Sequence, residues 1–259
     1  MCMQNMNNLE NIPDNLTIGI PVRIDSKERK ENLYTVTRYL SVLKCRIIVM
    51  EADVEPHVCE ISKNGLIEYQ FIKDNNAVFH RTHYINQLLQ LADTEVMAIW
   101  DTDVLVGYHQ IIEALQIVMN GATISYPYDG RFIMLPEQLS TQTRHKCDFE
   151  YLRNLKMKPI LGRKSYGGAY LVHRMRYSEC GGENEYFTGW GLEDAERHHR
   201  VAILGHKVCH IQSGELFHLY HPRGSNSNYQ SKVDATRHRA EFVKECCMLP
   251  NELETYISK

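Results

Sequence analysis

Apolar positions along this chain fall into two rhythms, continuous short runs and a three-to-four spacing, and the two alternate. From Leu16 the run LTIGIPV is apolar and bounded by Pro21, which predicts a short buried strand. Polar IDSKERKEN follows, with Asp25 or Ser26 placed to cap a helix. Leu33, Val36, Leu40 and Leu43 then recur at helical spacing through residues 28–43. CRIIVM (45–50) predicts a second buried strand ending at Glu51, and IEYQFI (67–72) a third. In 77–92, Val78, Ile85, Leu88, Leu89 and Ala92 share one helical face. EVMAIW (95–100) is the next strand and runs into Asp101-Thr102-Asp103. Tyr108, Ile111, Ile112, Leu115 and Met119 mark another helix, and TISYPY (123–128) another strand.

Strands alternating with helices predict an α/β, Rossmann-like domain whose mostly parallel central sheet is flanked by helices. Ligands of such sheets sit beyond the carboxyl ends of the strands, where Asp101 and Asp103 lie. The second half is less regular. Residues 129–165 hold Pro136, Pro159 and Gly162 and read as a long excursion with one helix near 147–156. So long an irregular stretch in a compact domain points to function. Gly167-Gly168, an apolar AYLV, a polar cluster over 183–200 and four histidines within 206–221 follow. The expected organisation is a polar leader (1–15), one catalytic domain (16–235, with halves 16–128 and 129–235) and a C-terminal surface helix and tail (236–259).

Composition narrows the function classes. The chain has 259 residues, 43% hydrophobic, enough for a sizeable core. A net charge of −3 argues against a protein held to nucleic acid by phosphate contacts. No apolar run approaches the ~18 residues of a membrane span. MCMQNMNNLENIPDN has neither a basic start nor an apolar stretch, so no signal peptide is expected and a cytoplasmic setting is. A peripheral membrane contact is left open, with no basic amphipathic helix to announce one. The eight cysteines form no CxxC pair, so reduced thiols are expected rather than disulfides or a zinc site.

Three constellations carry chemistry. In AIWDTDVLV, two carboxylates stand two residues apart at the end of a buried strand, costly unless a positive group joins them. In extended chain both would project to one side, and such oxygens suit Mn²⁺ or Mg²⁺ bridging a diphosphate. The plainer alternative is an Asp-rich turn capping the next helix. In FTGWGLEDAERHHR (187–200), glycines flank Trp190, whose indole could pack on a sugar face. Glu193 and Asp194 open a helix there, as first-turn acids or as reactive carboxylates. In LFHLYHPRG (216–224), His218 and His221 are three apart; either could complete an ion's coordination, or both could serve as structural hydrogen-bonders.

These segments together resemble the β-1,4-galactosyltransferase-like enzymes of the GT-A fold, including chondroitin-type polymerases. IPVRID is similar to the family's first-strand motif, FHRTHYIN (79–86) to its Phe-x-Arg…Asn segment, and DTD to its Asp-x-Asp. SYGGA (165–169) followed by GWGLED resembles its Gly-Gly…Gly-Trp-Gly-x-Glu-Asp stretch, and HLYH stands where its last metal ligand does. The resemblance covers residues 16–224. It implies an inverting, UDP-sugar-dependent transfer of Gal or GalNAc to a saccharide acceptor, lipid-linked in one version. Pro21, Arg23, Asp25, Phe79, Arg81, Asp101, Gly168 and Trp190 would bind the nucleotide sugar. Asp101, Asp103, His218 and His221 would hold Mn²⁺, or Mg²⁺ in its place. Trp190 and Glu193 would bind the acceptor, and Asp194 would be the base. The small Ser165 leans the donor toward UDP-GalNAc. A retaining transferase of the polypeptide-GalNAc kind and a non-catalytic nucleotide-sugar-binding module are the rival readings.

Overall fold

The computed structural model describes residues 14–258 apart from 66, 225 and 227. Most of the predicted leader, 1–13, therefore lies outside the described residues. The first half runs β1 (Leu16–Val22), α1 (Lys27–Leu40), β2 (Arg46–Asp53), β3 (Ile67–Lys73), α2 (Arg81–Leu91), β4 (Val96–Trp100), β5 (Val104–Leu105) and α3 (Tyr108–Met119). The middle contains β6 (Ile124–Tyr126), β7 (Phe132–Met134), α4 (Glu137–His145), α5 (Phe149–Asn154), β8 (Ala169–His173) and α6 (Arg174–Glu179). The rest is α7 (Glu193–Ile203), β9 (Val208–His210), β10 (Leu216–His218), α8 (Lys232–Cys246) and α9 (Pro250–Ile257).

Seven strands form the central sheet in the order β3-β2-β1-β4-β8-β6-β9. β3, β2, β1 and β4 are mutually parallel, as is the β6–β9 pair, while β8 runs antiparallel between β4 and β6. β1 and β4 are buried along their whole length, as strands covered on both faces must be, and this is why they read as unbroken apolar runs. Each such Val, Leu or Ile contributes about 1.5–3 kcal/mol on burial. A small second sheet, β5-β10-β7, lies beside the first.

Ser26 caps α1, its hydroxyl accepting from the Arg29 amide at 3.2 Å. That helix ends at Leu40 and tightens into a 3₁₀ turn over Ser41–Leu43. β2 continues past Glu51 to Asp53 because the buried Glu51 carboxylate is fully engaged. It accepts from the His57 and Val58 amides and the Tyr69 hydroxyl. The helix expected at 77–92 starts only at Arg81. Two expectations need larger correction. Residues 129–165 hold the expected helix, α5, but also β7 and α4, leaving 155–168 as the longest irregular stretch before β8. The C-terminal helix begins earlier than expected, at Lys232, capped by Ser231; it lies on the surface with most of its length exposed and buries one face, His238, Glu241 and Glu245, on the side of α7.

Candidate active site

Backbone pairing assembles the site. β4 ends at Trp100, and the next amide, Asp101 N–H, donates to the Gly168 carbonyl at 2.8 Å, which brings the start of β8 alongside. β10 pairs with β5 so that His218 faces Val104, and the Leu219 amide donates to the Asp103 carbonyl at 2.7 Å. His218 and His221, more than a hundred residues away in sequence, thereby meet Asp103. His218 Nε2 lies 3.3 Å from Asp103 Oδ1, and His221 Nε2 lies 3.3 Å from Asp103 Oδ2. Ligand atoms of these three residues all fall within 4.8 Å of one another.

Arg29 joins this cluster. Its guanidinium reaches Asp103 Oδ2 at 3.2 Å, His221 Nδ1 at 3.3 Å and Asp25 Oδ1 at 2.7 Å. Burial alone would push the Asp103 carboxyl up, but His218, Arg29 and His221 outweigh it and the net shift is downward. Burial lowers His218, favouring the neutral imidazole that a metal needs. One carboxylate and two imidazoles fit Mn²⁺ or a similar ion, and the guanidinium already held there shows that the pocket stabilises positive charge.

Asp101 lines the same cavity but turns elsewhere: its Oδ1 accepts from Arg81 Nη2 at 2.6 Å. Desolvation raises the Asp101 carboxyl, and Arg81 only partly opposes the rise. The segment Asp101–Asp103 is a turn rather than extended chain, so the two side chains share a cavity without sharing a partner. Arg81 is partly buried, and its buried Nη1 has no partner among the described residues.

Across the cavity, α7 begins at Glu193. Glu193 is buried, and its Oε2 has no partner among the described residues. Burial, then the neighbouring Asp194 carboxylate, raises its pKa to about 8. Asp194 is held by Arg197 Nη2 at 2.8 Å, one turn along the helix. Arg197 in turn is wholly buried, pairs with Glu183 at 2.8 Å and lies over the Tyr170 ring at 3.8 Å. A Cβ at Gly167 would meet the Asp194 carboxylate and push it from its place, so glycine there lets that side chain lie against the backbone. Gly189, at φ +71°, turns the chain so that Trp190 is 44% exposed at the cleft.

Arg29, Arg81, both aspartates of the turn, both histidines, Glu193, Asp194 and Trp190 line one cavity of about 450 Å³. Of the residues singled out in the sequence, Pro21, Arg23, Phe79, Arg81, Asp101, Asp103, Gly168, Trp190, Glu193, Asp194, His218 and His221 line it. Asp25 does not; its carboxylate is taken by Arg29. Arg23 lines the cavity with its donors already engaged by Ala52 O, Asn76 O and Asp74. Phe79 stacks on Tyr84, ring centroids 5.4 Å apart. The sequence reading missed Arg29, Phe132, Met134 and Arg223 as wall residues. For Arg29 the signal was available, since it follows the Ser26 cap by three residues and so points back over the first turn of α1.

Among the described residues the cysteines are free, and no helix is long and apolar enough to cross a membrane. Residues 153–222 match the family model described as the N-terminal domain of galactosyltransferase. No curated protein matches the chain. Solved structures do. The catalytic domain of Drosophila beta1,4galactosyltransferase 7 in complex with xylobiose is 17% identical with a TM-score of 0.52, covering 90% of this chain and 81% of that one. A mutant of the same Drosophila enzyme in complex with manganese, UDP-Gal and xylobiose gives 15% identity and a TM-score of 0.53 over 85% of this chain and 78% of that one. GalNAc-T7 with UDP, GalNAc and Mn²⁺ gives 14% identity and a TM-score of 0.58 over 91% of this chain, which spans only 48% of that longer protein. The chain has the fold of the GT-A glycosyltransferases and is galactosyltransferase-like in sequence over residues 153–222.

Proposed function

We propose that this chain is an inverting glycosyltransferase that moves a hexose, Gal or GalNAc, from a UDP-sugar to a saccharide acceptor. One observation carries the reading: the Asp103–His218–His221 cluster and the Glu193–Asp194 pair face each other across one cavity. The galactosyltransferase-like match supports it, since residues 153–222 contain Gly168, Trp190, both acids and both histidines.

Asp103, His218 and His221 would hold the divalent ion, with Asp101 beside them. Bound there, Mn²⁺ would neutralise negative charge on the departing diphosphate. Arg81, whose Nη1 has no partner among the described residues, would donate to the same leaving oxygens. Trp190 offers an exposed ring face to a sugar. Glu193, protonated near neutral pH, can donate from its unpartnered oxygen to an acceptor hydroxyl and so position it. Asp194 is fixed by Arg197 at the mouth of the helix and takes the proton from the attacking hydroxyl. The hydroxyl oxygen bonds to the anomeric carbon as the bond to the phosphate oxygen breaks, inverting that centre without a covalent enzyme intermediate.

The test is a screen of UDP-hexoses for Mn²⁺-dependent release of UDP, followed by transfer to saccharides with NMR of the product's anomeric configuration. Activity that is lost with chelator and in Asp103→Ala, with an inverted product, supports the reading. A retained configuration would move the chain to the polypeptide-GalNAc kind of transfer, and absence of metal-dependent UDP release would leave a binding module. Ser165 lines the cavity, and in the position that the resemblance implies, beside the donor's C2 substituent, its small side chain would leave room for an N-acetyl group. UDP-GalNAc should therefore turn over at least as fast as UDP-Gal; a strong Gal preference would reverse that.

A further inference from the structure

Between Tyr151 and Ser178 the sequence has no acidic residue, although the whole chain carries a net charge of −3. Within this stretch, LKMKPILGRK (155–164) follows α5 and runs over the surface beside the cleft. Leu155, Ile160 and Leu161 are 39%, 52% and 41% exposed. Lys156, Lys158, Arg163 and Lys164 are exposed with them. The neighbouring charges are already matched: Arg153 reaches Glu150 and Glu215, and Asp129 pairs with Arg131. The loop is pinned at both ends of its tip, the Ile160 amide donating to Phe132 O at 2.9 Å and the Ser165 amide to Gly130 O at 3.0 Å. Pro159 stiffens the approach to that tip. Ile160 and Leu161 therefore stand at a fixed place, on the wall of the cavity that also holds Trp190.

Scattered exposed aliphatics are ordinary on a protein surface. Two adjacent ones at a braced tip, ringed by four cations without an acid, are a different pattern. A second copy of this loop would meet it with like charge. A soluble polyanion would satisfy the cations but leave the aliphatics in water. An anionic bilayer satisfies both: ammonium and guanidinium groups reach headgroup phosphates while the tip enters the acyl boundary.

We propose that loop 155–164 docks this protein onto an anionic phospholipid surface, with the mouth of the cleft turned toward the bilayer. The docking stands without the transfer reaction. If that reaction holds, the acceptor is a sugar presented at the membrane surface.

Co-sedimentation with phosphatidylcholine vesicles, with and without phosphatidylglycerol, tests it. The protein should bind the anionic vesicles, release from them as salt is raised, and ignore the neutral ones. Lys156→Gln/Lys158→Gln/Arg163→Gln should weaken binding roughly fivefold per cation, on the order of a hundredfold in all. None of those three lines the cavity, so UDP-sugar hydrolysis and the melting temperature should stay unchanged in that variant. Ile160→Ser should weaken vesicle binding at constant charge. Equal binding to neutral vesicles, wild-type binding by the triple variant, or capture of a soluble anionic polysaccharide without vesicle binding would each overturn the proposal. Vesicle binding by a protein that hydrolyses no UDP-sugar would support docking and overturn the transfer reading alone.

Discussion

At the scale of single residues the site is a set of buried charges with unequal support. Glu193 is the least supported, with burial and Asp194 holding its carboxyl at a raised pKa of about 8. A carboxyl raised in the folded state contributes stability that is complete below the unfolded value, roughly 4.3, and is lost as pH rises toward 8. Glu193→Gln removes that loss. Its melting temperature relative to wild type should therefore improve between pH 5 and pH 9, measured by thermal denaturation at each pH; a constant difference would contradict the assignment. Arg29 is the opposite case, a cation lent to Asp103 and His221 in the place where a metal ion would bind. Replacing it with Met should enlarge the rise in melting temperature produced by Mn²⁺, because the ion no longer displaces a resident charge. An equal or smaller rise would show that the two do not compete. The DxD pair was legible in the sequence because a buried strand end rarely carries two acids. The split between Asp101, turned to Arg81, and Asp103, turned to the histidines, was not, because it depends on partners distant in the chain.

At the scale of elements, α7 does most of the positioning. Asp194 is steered by Arg197, and Arg197 is secured by Glu183, which also accepts from the Tyr170 and Tyr177 hydroxyls at 2.6 Å. Burial would raise Glu183, but Arg197 and these hydrogen bonds bring it down to about 2. Such a depressed carboxyl contributes stability above its unfolded value, lost as pH falls toward 2. Arg197→Met leaves Glu183 buried and unpaired, costing about 3–5 kcal/mol at neutral pH. The cost should shrink as pH is lowered below ~4.3, where protonation of Glu183 removes the need for a partner. Denaturant unfolding at several pH values measures this, and a cost independent of pH would contradict it. The long apolar strands and the amphipathic α3 could be read directly from the chain. β7 and α4 could not: three residues of Phe-Ile-Met give no period, and α4 buries only Ser140 and Thr143 among its described residues, so no apolar stripe marks it.

At the scale of the whole molecule, two halves with different sequence signals build one cavity. The first half supplies Asp101, Asp103 and Arg81 from ends of the parallel strands and the start of α2, as the alternation of elements predicts. The second half supplies His218, His221, Glu193 and Asp194 through β10 and α7, and its placement follows from pairings no local pattern reveals: β10 between β5 and β7, and β8 antiparallel in the central sheet. The short motifs marked these residues as chemical; only the topology brings them face to face. Asp194→Asn tests that arrangement in function. It should cut transfer by about 10²–10⁴ while UDP and Mn²⁺ still bind, read by steady-state transfer beside calorimetric titration, whereas retained transfer would remove Asp194 from the base role. The most direct measurement is a crystal grown with Mn²⁺ and UDP, with data collected at the manganese absorption edge. The account predicts an anomalous peak in contact with Asp103, His218 and His221, on the side facing Glu193 and Asp194. A peak elsewhere, or none at that cluster with UDP bound, would contradict it.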